Sequence, residues 1–244
     1  MSILRPSLRF TLLAIHLGIG LGLGPFLRHQ DQPRWRVIRW WHGRVLRVLG
    51  IRLRVTGEPA GESTLIAANH ISWLDIPVIG SQAPAAFLSK AEIRQWPAIG
   101  WLAERVDTLF IRRGRGASSA VQAISESLNQ GGCVAFFPEA TTTPGDELRR
   151  FHPRLFQAAI DAGARVQPAV IRFPGNGGTD PRATFIGDDT FMQSLRRVLR
   201  APRLEAEIHF LDPIPAESVA SRDEQATLAH QRIEAVSRGK GGVG

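Results

Sequence analysis

An α/β domain with a largely parallel sheet flanked by helices, entered through an N-terminal membrane-associated helical segment, is what the sequence predicts, on three observations. From Ile51 onward, short apolar runs alternate with longer amphipathic stretches, the pattern of strands and crossover helices taking turns. The 244 residues, 43% of them hydrophobic, suffice for one domain with a sizeable core, and a single cysteine excludes an intramolecular disulfide framework. Ahead of that domain, Phe10 to Leu27 run eighteen residues without a formal charge, at the lower edge of the about 20 that cross a bilayer.

That apolar stretch, FTLLAIHLGIGLGLGPFL, lies between Arg9 and Arg28. A secretory signal would end in a small-residue cleavage site, and PFLRHQDQPRWR offers none, so the segment reads as retained in the membrane. Gly18, Gly20, Gly22 and Gly24 lower its helical propensity. Next, Arg34, Arg36, Arg39, Arg44 and Arg47 alternate with Trp35, Trp40, Trp41, Val45, Leu46 and Leu49. Indole prefers the membrane interface and guanidinium attracts anionic lipid, so this helix is expected to lie in the headgroup layer. Residues 1–50 thus read as a membrane-docking helical segment, 51–236 as the α/β domain, and 237–244, within SRGKGGVG, as a flexible tail.

Within the domain, IRLRV, TLIAAN, AFLS, TLFIRR, CVAFFP, VQPAVIRF and LEAEIHFL read as strands. AEIRQWPAIGWLAERV, ASSAVQAISESLNQGG, HPRLFQAAIDAG and DTFMQSLRRVLR read as helices, and FPGNGGTDPRA as a loop. Net charge is +8, nearly all arginine, which suits a phosphate-rich partner: an anionic membrane, a phosphorylated cofactor or nucleic acid. The adjoining apolar stretch argues against nucleic acid, which no such segment serves. Seven scattered histidines without H-E-x-x-H or C-x-x-C spacing disfavour metal catalysis.

The stretch AANHISWLDIP, residues 67–77, follows the strand TLIAAN and places His70 and Asp75 in a strand-to-helix loop, where α/β proteins concentrate their chemistry. Asp75 or Ser72 is the expected N-cap of the next helix, with Pro77 in its first turn. On a regular helix five residues rotate by about 500°, leaving the two side chains about 140° apart; they meet only if His70 precedes the helix. A histidine whose Nδ1–H is held by a carboxylate presents Nε2 as an acceptor able to deprotonate an alcohol. With no strong serine or cysteine nucleophile motif nearby, direct attack by a substrate hydroxyl is expected rather than a covalent enzyme intermediate.

The blocks NHISWLD, TLFIRR and FPEATTTPG, with the weaker VQPAVI, resemble in order and spacing the glycerophospholipid acyltransferases, in particular the bacterial 1-acylglycerol-3-phosphate acyltransferase type, over Ile51 to Arg172. The resemblance implies an O-acyltransferase moving an acyl chain from acyl-CoA or acyl-carrier protein, as co-substrate, to the free hydroxyl of a membrane lyso-lipid, without metal or cofactor. It implies His70 as base, Asp75 as its orienting carboxylate, Arg113 as ligand of the acceptor's phosphate, and Glu139, Thr141 and Thr142 as substrate-binding residues of the third block. The first expected acceptor is 1-acylglycerol-3-phosphate, giving phosphatidic acid, at the inner membrane with the catalytic domain facing the cytoplasm. Backbone N–H groups at the helix start after Asp75 are expected to steady the oxyanion.

Two departures bear on the acceptor. Where the family shows F-P-E-G-T-R-S, this chain has Ala140 for the glycine and Thr142 for the arginine. Either Arg149 or Arg150 replaces the lost cation, or the headgroup is not a phosphate monoester. FPEATTT with FHPRLFQAAI resembles the lyso-ornithine lipid acyltransferase subgroup, whose acceptor carries no phosphate. A lipid-binding scaffold without turnover and an acyl hydrolase are the more distant alternatives.

Overall fold

The computed structural model describes residues 4–24, 32–97, 99–106, 108–111 and 116–238. Its centre is a seven-stranded sheet in the order β1-β9-β6-β2-β5-β3-β4. In chain order the strands are β1 (Ile51–Thr56), β2 (Thr64–Ala68), β3 (Ala85–Lys90), β4 (Leu109–Ile111), β5 (Cys133–Phe136), β6 (Arg165–Arg172) and β9 (Leu204–Phe210); β7 (Pro174–Gly175) and β8 (Gly178–Thr179) form a small separate hairpin inside the expected loop. Neighbours pair in parallel except β6 with β9, so β9 and β1 run against the other five. The expected fold class is what forms. β2 and β5, mid-sheet, are buried along their whole length, as strands covered on both faces must be.

Two layers of helices cover the sheet. On one face α2 (Gln32–Leu49), α3 (Asp75–Gly80) and α7 (Phe191–Arg200) pack in a core with Leu49, Ile66, Leu74, Ile79 and Val198. On the other, α5 (Gly116–Asn129), a 3₁₀ turn (Pro153–Phe156), α6 (Gln157–Asp161) and α8 (Arg222–Arg238) enclose Leu65, Ile124, Phe136, Phe156 and Ile233. Each fully buried leucine or isoleucine contributes about 1.5–3 kcal/mol. α7 starts on a complete capping box: Thr190 accepts from the Gln193 N–H while the Gln193 side chain bonds back.

The structure revises three elements. AEIRQWPAIGWLAERV is a 3₁₀ turn (Ala91–Gln95) followed by α4 (Ile99–Arg105) rather than one helix, because Pro97 removes a donor and disfavours helical backbone at Trp96. HPRLFQAAIDAG likewise divides at Phe156. α8 was not among the expected helices, and it runs to Arg238, two residues past the expected boundary at 236; residues 239–244 lie outside the described residues.

α1 (Leu4–Leu23) is, among the described residues, the one helix long and apolar enough to cross a membrane by length and composition. One side of it is fastened to the domain. Arg9 donates to the carbonyls of Leu199, Ala201 and Pro202 at the α7 C-terminus, where unpaired carbonyls and the helix dipole favour a cation. His16 Nε2 lies 3.0 Å from the Trp41 carbonyl while Trp41 Nε1–H donates to the His16 carbonyl at 3.3 Å. Gly50, at φ +76°, ends α2 and lets Arg9 pass; a Cβ there would stand 2.0 Å from Arg9 Nη2. The outer side shows Leu8, Leu12, Ile15 and Ile19, each more than 40% exposed, at the i, i+4, i+7, i+11 spacing of a helical stripe.

Candidate active site

β2 ends at Ala68, paired with Ala169 of β6. Asn69 then continues the ladder with its side chain: Nδ2–H donates to the Ile171 carbonyl at 2.9 Å and the Ile171 N–H donates to Oδ1 at 2.7 Å. This buried amide holds the chain to the sheet for one more step, so that His70 leaves at a defined point, before α3.

There Asp75 gathers the loop. Its Oδ2 accepts from His70 Nδ1–H at 2.8 Å, from the Ile71 N–H at 2.7 Å and from the Ser72 N–H at 2.9 Å. The carboxylate is completely buried, and its three donors all converge on one oxygen. Asp75 is therefore the first residue of α3 and bonds backwards; Leu74 occupies the N-cap position with no side-chain cap, which corrects the expectation of Asp75 or Ser72 as cap. The oxyanion expectation narrows in the same way. The Ile71 and Ser72 N–H groups are spent on Asp75, the Asp75 N–H bonds the Ser72 carbonyl, the Val78 N–H bonds the Leu74 carbonyl and Pro77 has none, so these positions offer an oxyanion no donor.

His70 keeps 20% of its side chain exposed. Its ring stacks on Phe137, centroids 4.0 Å apart and planes 10° from parallel. A bond to a carboxylate puts the proton on Nδ1, so Nε2 is the ring nitrogen left for chemistry.

Glu139 approaches from the end of β5. It is buried, with Oε1 accepting from the His70 N–H at 2.8 Å and Oε2 from the Arg149 N–H at 2.9 Å. Burial raises its pKa above the ordinary carboxylate value, against the lowering pull of those two N–H groups. Both oxygens are engaged by main chain, which makes Glu139 a strut between the His70 loop and the segment carrying Arg149. Thr142 donates its hydroxyl to the Phe185 carbonyl, and Thr141 is exposed. Arg113 lies outside the described residues. The structure thus brings together His70, Asp75 and Glu139.

Three residues escaped sequence reasoning. Asn69, Phe137 and Thr143, whose N–H donates to the His70 carbonyl at 2.8 Å, all contact His70 or its strand. Their adjacency to the motifs was the available signal. Ala140 holds φ +60°, a left-handed conformation costly for a residue with a Cβ.

Comparison with known proteins decides what this geometry belongs to. A family model described as acyltransferase matches residues 52–172. The lyso-ornithine lipid O-acyltransferase of Pseudomonas aeruginosa is 42% identical over 97% of this chain and 93% of its own length. The chain belongs to the acyltransferase family. Within it, the 1-acyl-sn-glycerol-3-phosphate acyltransferase of Neisseria meningitidis serogroup B is 36% identical over 75% of this chain and 72% of its own. The crystal structure of the 1-acyl-sn-glycerophosphate acyltransferase from Thermotoga maritima shares the fold, with a TM-score of 0.74 over 99% of this chain and 98% of that one at 20% identity.

Proposed function

We propose that this acyltransferase transfers an acyl chain from a pantetheine thioester, acyl-CoA or acyl-carrier protein, to the hydroxyl of lyso-ornithine lipid at the cytoplasmic face of the inner membrane. The likeness to a lyso-ornithine lipid acyltransferase over nearly the whole of both chains carries this reading. The third block supports it, because the cation of a phosphate-binding relative is absent at Thr142 and the threonine hydroxyl is tied to Phe185. The likeness to a 1-acyl-sn-glycerol-3-phosphate acyltransferase over three quarters of the chain favours phosphatidic acid formation as a second reading.

In the proposed reaction His70 Nε2 takes the proton of the acceptor hydroxyl as its oxygen attacks the thioester carbonyl. Asp75 holds the Nδ1–H and stabilises the imidazolium. The tetrahedral intermediate collapses, its C–S bond breaks, and His70 returns the proton to the departing thiolate. No metal or cofactor is required. The outer stripe of α1 and the exposed Trp40 would bring the site to the lipid surface that holds the acceptor.

The test is acceptor-dependent thiol release by the purified protein, with product analysis, using lyso-ornithine lipid and lysophosphatidic acid side by side. A diacyl product with higher kcat/KM for lyso-ornithine lipid is expected. A preference for lysophosphatidic acid moves the assignment to the second reading, and free fatty acid without diacyl lipid makes the protein a hydrolase.

A further inference from the structure

The two sides of the catalytic loop differ in what they offer a substrate. On the α1, α2 and α7 side the exposed groups include Leu8, Leu12, Ile15, Ile19 and Met192, fit for a lipid. The segment leaving Glu139 first ties to Phe185 and Thr179 and then crosses to the other side, where the Pro153–Phe156 turn packs with α5 and α8 in the opposite core. On that segment Arg149 and Arg150 are exposed and Arg154 follows one turn later, also exposed. Of the two nearby acids, Asp146 is occupied by Thr179, whose N–H and hydroxyl donate to its Oδ1 at 3.3 and 3.2 Å, and Glu147 is exposed to solvent. The pair is coupled to the site by covalent chain and one carboxylate: Glu139 bonds the His70 N–H with one oxygen and the Arg149 N–H with the other.

We propose that Arg149 and Arg150 form the phosphate-binding rim of the acyl-donor subsite, reading the phosphate of a pantetheine thioester. The inference rests on the acyl-transfer reading above. A lipid acceptor comes from the bilayer, so a water-borne donor enters from the side turned away from α1, where these arginines stand. In such a donor the pantetheine arm separates the thioester from the phosphate. A phosphate ligand therefore belongs at the rim of the cleft, beyond Glu139, rather than against His70. Guanidinium forks match phosphate oxygens in charge and geometry.

The experiment uses the full-length double variant R149Q/R150Q and three donors: acyl-CoA, acyl-4′-phosphopantetheine and the phosphate-free S-acyl-N-acetylcysteamine. The ratio of kcat/KM for acyl-CoA to that for the phosphate-free thioester should fall by about ten to a hundredfold, the loss of one or two charged hydrogen bonds. The acceptor's KM should hold within about twofold, R149K/R150K should recover part of the ratio, and R52Q/R54Q, on the distant edge strand β1, should leave it unchanged. An equal loss with acyl-phosphopantetheine assigns the arginines to the arm's own phosphate; a loss with acyl-CoA alone assigns them to the nucleotide's. An unchanged ratio, or a rise in the acceptor's KM in its place, overturns the donor assignment and leaves acyl transfer standing. Absence of wild-type turnover with every donor overturns both.

Discussion

Two histidines on the same face of the sheet, His42 in α2 and His70 at the end of β2, show what separates packing from chemistry. His42 is fully buried against Gly80 and Phe87, its Nδ1 without a protein partner, and burial pushes its pKa down to about 4. It is a neutral ring filling space. His70 is partly open, stacked on Phe137, and fixed at Nδ1 by a carboxylate that also holds two backbone N–H groups. Burial alone silences an imidazole, whereas a buried carboxylate beside a partly open imidazole keeps one nitrogen committed and the other usable.

The sharpest way to break that comparison is to exchange the consequences. His70→Ala should cut transfer by about 100 to 10,000-fold, the worth of general-base assistance, with a melting temperature within a degree or two of wild type. Turnover near the wild-type rate, measured under saturating donor and acceptor, contradicts the role given to His70. Asp75→Asn should approach the same loss of rate because the amide can leave the imidazole in the wrong tautomer. Unlike the first change it should also destabilise, by about 1–3 kcal/mol, since the three donors that converge on Oδ2 meet a neutral amide instead of an anion. A stable variant with normal pH–rate behaviour would reduce Asp75 to a loop brace.

Glu139→Gln comes next in size. The amide can accept from only one of the His70 and Arg149 N–H groups and presents its own donors to the other. Rate should fall by tens of fold through displacement of the His70 loop, with little change in the acceptor's KM if the strut is its whole role. A KM effect that outweighs the kcat effect would support the acceptor-binding role implied by family resemblance. The raised pKa gives a second readout. A carboxyl whose folded-state pKa lies above its unfolded one loses stability as pH rises from the ordinary carboxylate value through the folded one. Glu139→Gln should remove that decline, measured as urea stability between pH 4 and neutrality.

How much of this the sequence carried depends on the range of the interactions involved. The strands β2, β5 and β6 are written in apolar runs that need both faces covered, and the His70–Asp75 pair is local, closed within five residues. The strut through Glu139 joins segments 69 residues apart, and no spacing rule reports which main-chain donors a carboxylate will meet after folding. α8 was missed because its buried stripe is thin, Gln225, Ala226, Ala229 and Ile233. Its start nevertheless carried an S-x-x-E cap signal: the Glu224 N–H donates to Ser221 Oγ at 3.2 Å, and the Glu224 side chain accepts at 2.7 Å from the Ala220 N–H, one residue ahead of the cap. Arg9 is the converse case. A charge flanking an apolar stretch suits a membrane edge, and here its guanidinium closes the end of a helix nearly two hundred residues later.

His42→Leu tests the packing half of the comparison. A base whose folded-state pKa is depressed to about 4 from an ordinary 6.5 costs stability as pH falls, because the unfolded chain takes up a proton that the native chain refuses. Over that window of roughly 2.5 pH units the loss reaches about 3 kcal/mol. The leucine variant should be flatter by that amount between pH 6.5 and 4 in urea titrations, while its rate at neutral pH stays near wild type. An unchanged slope means that the ring is protonated in the fold.

The smallest expected effect lies in the third block and separates backbone strain from chemistry. Ala140 sits at φ +60° with its side chain exposed and its N–H donating to the Phe137 carbonyl at 3.1 Å. The left-handed conformation costs a residue with a Cβ about 1–2 kcal/mol. Glycine relieves that cost but adds backbone freedom to the unfolded chain, worth up to about 1 kcal/mol. Ala140→Gly should therefore stabilise by about 0.5–1 kcal/mol, a rise of roughly 1–4 °C in Tm for a chain of this size, with kcat and the acceptor preference unchanged. The turn is held on both sides, by Glu139 to His70 and by Thr142 to Phe185, so a looser residue between these ties does not free the His70 loop. A drop in kcat alongside the gain in Tm would show the opposite: that the strained alanine itself keeps Glu139 pressed against the His70 N–H, and that the bend in the third block belongs to the machinery that aims the imidazole.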